Sequence, residues 1–83
     1  MSFQADSVKV GDEVFYSEDG ARWRVRVKEK HQKGRKMHLT LTVLEVLQNT
    51  LHGGSNPPID SDFSVTEMSG AGVNAGWSIS LCA

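Results

Sequence analysis

The sequence predicts an all-β protein: one small domain, residues 1–83, built as a five-stranded barrel or a strongly bent antiparallel sheet. Three observations predict it. Apolar and polar side chains alternate with a period of two over residues 22–30, 36–43 and 77–81, which places them on opposite faces of extended chain. Gly-bearing turn clusters punctuate these runs at short intervals. At 83 residues the chain is too short for two cores, and a small sheet is stabilised by rolling up to hide its edges.

Taken in order, Val8-Lys9-Val10 leads into a Gly11-Asp12 pair, and Glu13-Val14-Phe15-Tyr16 reads as a short strand. Glu18-Asp19-Gly20 is a turn whose glycine supplies a positive φ. From Arg22 to Lys30, Trp23, Val25, Val27 and Glu29 alternate with Arg22, Arg24, Arg26, Lys28 and Lys30. A helix would mix these cations among the apolar residues, and β-branched Val disfavours one. Residues 31–35 form a turn. Met37, Leu39, Leu41 and Val43 then share one face, with His38, Thr40 and Thr42 on the other.

With Lys33 at the hairpin apex, Trp23 lies opposite Val43, Val25 opposite Leu41, Val27 opposite Leu39 and Glu29 opposite Met37. Arg24–Thr42, Arg26–Thr40 and Lys28–His38 then pair on the far face. Over residues 43–47 the alternation fails. A β-bulge that switches faces, cover on both sides by another element or subunit, and a short helix are the three explanations left open. Residues 49–62, with Gly53-Gly54-Ser55-Asn56-Pro57-Pro58, read as a long loop, connecting or disordered. Residues 63–68 resume as strand, 69–76 are a Gly-rich loop, and 77–81 close the chain as a strand. Five strands with short turns at this length suggest SH3-like or oligonucleotide-binding (OB-like) closure.

At Gly11-Asp12-Glu13-Val14, then Asp19-Gly20-Ala21-Arg22-Trp23 and Val25, the chain resembles the opening of SH3-like barrels. It is similar in particular to the small plasmid-borne, trimethoprim-resistant dihydrofolate reductases, whose barrel begins with a comparable Gly-Asp-x-Val and Gly-Ala-x-Trp. The spacing here is one residue longer, and the likeness covers about fifteen residues. Those reductases form a tetrameric pore whose active site uses a Val-Gln-Ile-Tyr segment and a nearby Lys. That segment is absent here, so the resemblance implies the barrel and not the activity. It also suggests a small protein carried on a mobile gene cassette.

The formal net charge of −1 hides a strong segregation. Eight of the nine Lys and Arg fall between Arg22 and Lys36, with Glu29 the one acid among them, while the remainder sets Lys9 against nine acids. On a strand, Arg22, Arg24, Arg26, Lys28 and Lys30 project about 6.5–7 Å apart, twice the strand rise and close to the phosphate spacing of a single strand. Thr40 and Thr42 add hydroxyls beside them. These seven residues are the candidate nucleic-acid or polyanion site. The competing reading is a solvated face whose cations pair with Asp60, Asp62 and Glu67.

Other function classes find less support. Leu44, Val46 and Leu47 are candidates for a homo-oligomer contact, which makes a structural or assembly protein the alternative. An enzyme would need a site at an oligomer's centre, near Trp23 or Trp77, and no nucleophile motif is present. His31, His38 and His52 lack metal-ligand spacing, and Asp60-Ser61-Asp62 lacks the Gly and Glu of a calcium loop. The glycines of residues 70–76 lead into a strand and not into a helix N-terminus, so they make no phosphate cradle. No cofactor or metal is expected. Cys82, the only cysteine, rules out an internal disulfide and reads as a spectator thiol. The opening residues lack the pattern of a secretory signal and no run approaches a membrane span, so a cytoplasmic protein without a membrane partner is expected.

Overall fold

Alternation at every second position becomes five antiparallel strands: β1 (Glu13–Glu18), β2 (Ala21–Lys33), β3 (Lys36–Gln48), β4 (Asp62–Met68) and β5 (Trp77–Leu81). A 3-10 turn over Gln4–Ser7 precedes them. The computed structural model describes residues 3–18, 20–48, 57–70 and 76–81. Most of the long loop (49–56), the centre of the Gly-rich loop (71–75), Asp19 and Cys82 lie outside the described residues.

The strands form one sheet in the order β4-β3-β2-β1-β5. Its inner face carries Val14, Val25, Val27, Leu39 and Leu41, all essentially inaccessible. An aromatic cluster fills the centre. The Tyr16 ring stacks at 5.5 Å from Trp23 and 5.9 Å from Trp77, and Phe63 meets it edge-on at 5.1 Å. Offset stacks and edge-to-face contacts at these separations suit the ring quadrupoles.

Of the two forms expected, the strongly bent sheet is the one found. Among the described residues, β4 and β5 share no ladder. The bend brings them close enough for Trp77 Nε1 to donate to the Thr66 carbonyl at 3.1 Å, and the 3-10 turn occupies the seam. There the Gln4 side-chain amide acts as a one-residue strand: its Nε2 donates to the Trp77 carbonyl at 2.9 Å, and its Oε1 accepts from the Ile79 amide at 3.2 Å. On the β4 side the Gln4 backbone amide donates to both carboxylate oxygens of buried Glu67, at 2.8 and 2.9 Å. One residue thus caps the β5 edge and ties it to β4.

The β2–β3 register differs from the expected one. The turn is Gly34-Arg35, flanked by the Lys33–Lys36 pair, with Gly34 at φ 61°. A positive φ at the first central position is the II′ arrangement that matches strand twist, and Gly adopts it freely. The pairs that follow are Val27–Leu41, Val25–Val43 and Trp23–Val46. Three bulges interrupt them, at Lys28 on β2 and at Leu44 and Leu47 on β3. Of the three explanations for residues 43–47, the bulge is correct, and it occurs twice.

Candidate nucleic-acid interface

The outer face of the sheet is mostly polar. Register sets Arg26, Arg24 and Arg22 beside Glu13, Phe15 and Ser17 of β1, and beside Thr42, Glu45 and Gln48 of β3. Trp23, Val25 and Val27 point inward, so the division of cations from apolar side chains holds from residue 22 to residue 27.

Beyond Val27 it does not. The Lys28 bulge inverts the faces, so Glu29 joins the outer face opposite Thr40 and Lys30 turns inward opposite buried Leu39. Lys30 is therefore not part of the ridge. Its ammonium donates to the Ala5 and Val8 carbonyls at 2.7 and 2.9 Å, closing the C-terminal end of the 3-10 turn. With the Glu67 carboxylate at the other end, each terminus meets the charge its exposed backbone groups favour.

Of the remaining ridge cations, Arg24, Arg26 and Lys28 are paired within the molecule, mostly by acids other than those expected. Arg24 lies 3.2 Å from Glu13 and 3.7 Å from Glu45, and Arg26 lies 3.6 Å from the second Glu13 oxygen. Lys28 donates to Asp62 at 2.5 Å, while Thr42 donates to the other Asp62 oxygen at 2.7 Å. The Lys28 bond, then the Thr42 bond, hold the Asp62 carboxyl below its usual range, and Asp62 in turn raises Lys28. Of the three acids anticipated, Asp62 serves, Glu67 is buried at the seam, and Asp60 forms no ion pair among the described residues. All four pairs join side chains 36–54% exposed, so they are readily screened and exchanged.

Two features of this face escape the alternation pattern. Phe15, half-buried, stands on the outer face with the Arg22 guanidinium 4.8 Å above its ring, a cation–π contact. Near the hairpin end the rings of His31 and His38 stack, with centroids 6.5 Å apart and planes 22° from parallel. Hydroxyls fill the β3–β4 flank, where Thr40 lies 3.4 Å from Ser64 and His38 Nδ1 lies 3.1 Å from the Thr66 hydroxyl.

The candidate oligomer residues separate. Val46 faces Trp23 and packs on the core, whereas Leu44 and Leu47 are the bulged residues and Leu47 is 44% exposed. Among the described residues no group of His, Cys, Asp or Glu is placed to hold a metal ion, and no helix is long and apolar enough to cross a membrane. Comparison of the chain with protein-family models, curated proteins and solved structures found no match.

Proposed function

We propose that this chain is a non-catalytic binding module that engages single-stranded nucleic acid on the outer face of its bent sheet. The observation that carries this reading is Phe15 beneath Arg22, an aromatic platform set among cations and hydroxyls on the exposed face. Sequence-tolerant single-strand binding uses this combination: bases stack on an aromatic or guanidinium plane while cations follow the backbone. Arg24, Arg26 and Lys28 contribute after phosphates replace the carboxylates of Glu13, Glu45 and Asp62. That exchange predicts modest affinity and high salt sensitivity. A cytoplasmic setting accords with a chain whose only cysteine is Cys82.

Anisotropy of a labelled oligothymidylate, titrated across a salt series, tests the proposal. Neutralising three or four phosphates gives a slope of about −2 to −3 in log affinity against log salt. Phe15→Ala removes one stacking plane and weakens binding by about 1–3 kcal/mol. Salt-independent affinity, or none at low ionic strength, rejects the reading.

A second reading, self-assembly, is favoured by one observation: Leu47 is 44% exposed beside the partly buried Leu44 at the β3 bulges. Sedimentation equilibrium decides it, since a strict monomer at high micromolar concentration excludes a contact through these residues.

A further inference from the structure

We infer that the tip of the β2–β3 hairpin, not the ridge, is where the first phosphates of a single strand dock; this rests on the nucleic-acid reading above. Lys33 stands directly opposite Lys36, with Arg35 in the turn between them. Among the described residues none of these three has a carboxylate within ion-pair distance, whereas Arg24, Arg26 and Lys28 all do. Like charges directly opposed across strands destabilise a hairpin, and a bound anion removes that penalty. At Arg24, Arg26 and Lys28 a phosphate must displace an acid; at the tip it displaces none among the described residues.

The tip is also shaped and braced. Lys33, Arg35, Lys36 and His38 line an open groove with Met68 of β4, which is 48% exposed. Gln32 Nε2 donates to the Gly34 carbonyl at 3.1 Å, and the Ser69 amide donates to the Arg35 carbonyl at 2.8 Å. These bonds fix the turn before any ligand arrives, which lowers the ordering cost of binding. One step back along the same face, about 6.5–7 Å away, is the His31–His38 stack. Phosphate contact at the tip places the next base over these rings. A duplex, whose bases are already stacked on one another, gains nothing from them.

The test uses the full chain and two variants, the triple substitution Lys33→Gln/Arg35→Gln/Lys36→Gln and the ridge substitution Arg26→Gln. The probes are a labelled oligothymidylate and a duplex of equal length. All substituted side chains are exposed, and circular dichroism melts verify that both variants fold. Removing three phosphate contacts weakens oligothymidylate binding about ten-fold or more and flattens the salt slope by about 2. Arg26→Gln changes affinity much less. Backbone NMR shifts in the wild-type chain then concentrate at residues 31–38. If the triple variant binds as the wild type does while Arg26→Gln is weakened, the tip assignment is wrong and the interface reading stands. If the wild type binds neither probe at low salt, the interface reading itself fails. Equal affinity for the duplex overturns the preference for a single strand.

Discussion

Lys30 shows how one side chain changes role when a strand gains one residue. Its sequence position puts it on the cationic ridge, but the bulge at Lys28 sends it inward to two backbone carbonyls of the 3-10 turn. Lys30→Met keeps the apolar stem and removes both bonds; the Ala5 carbonyl retains the Val8 amide at 3.2 Å, while the Val8 carbonyl loses this donor. Urea unfolding is expected to show a loss of about 1–3 kcal/mol, the usual cost of removing charge-assisted bonds to part-buried groups. A change near zero would place the ammonium in solvent. Tyr16 offers a second reading at this scale. Burial first, then its 2.7 Å bond to Glu18 and the charge of that carboxylate, push the phenol far above its ordinary value. A folded-state value raised in this way makes a contribution that is whole below about pH 10, where the unfolded phenol titrates, and shrinks as the pH climbs beyond it. The chain has one tyrosine, so the absorbance is unambiguous. Tyrosinate is expected to appear together with the loss of circular dichroism, in one alkaline transition. Ionisation near pH 10 with the dichroism intact would contradict the burial.

At the scale of elements, the strands were legible because period-two alternation reports directly on which face is buried, as for Trp23, Val25 and Val27. The β3 bulges were half legible, since they fall in an apolar stretch where a change of face leaves Val43-Leu44 and Val46-Leu47 as visible doublets. The β2 bulge was not legible. Lys28-Glu29-Lys30 is polar at every position, so inverting the faces there leaves no hydrophobic trace. The hairpin register failed for the same reason, because its turn lies in the polar run that follows and an apex at Lys33 satisfied the apolar pairs as well. The charge segregation along the chain was real, but antiparallel pairing recombined much of it. Glu13, the first residue of β1, comes to rest opposite Arg26 and pairs with two arginines. The 3-10 turn, four residues long, carries no periodicity at all, and its anchor is Glu67, distant in sequence.

For the whole molecule, the question is what holds a five-stranded sheet rolled when its end strands do not pair. Phe63 of β4, edge-on to Tyr16 of β1 and Trp23 of β2, supplies apolar contact across the bend, but apolar contact alone does not satisfy the backbone of an edge strand. Gln4 does both jobs: its side chain completes the Trp77 and Ile79 backbone groups of β5, and its amide ties the turn to Glu67 of β4. Gln4→Ala removes the side-chain half and leaves the backbone half. The expected consequence is local before it is global: exchange of the Ile79 amide accelerates by roughly ten-fold or more, matching the loss of about 1–2 kcal/mol of local protection. Amides in the β2–β3 ladder slow or hasten only with the global stability. The freed β5 edge also becomes a template for another chain, so Gln4→Ala should self-associate more than the wild type in sedimentation velocity. If Ile79 exchange is unchanged in Gln4→Ala, the seam is held by the Phe63 contacts and the Trp77–Thr66 bond, and the 3-10 turn merely rests on it.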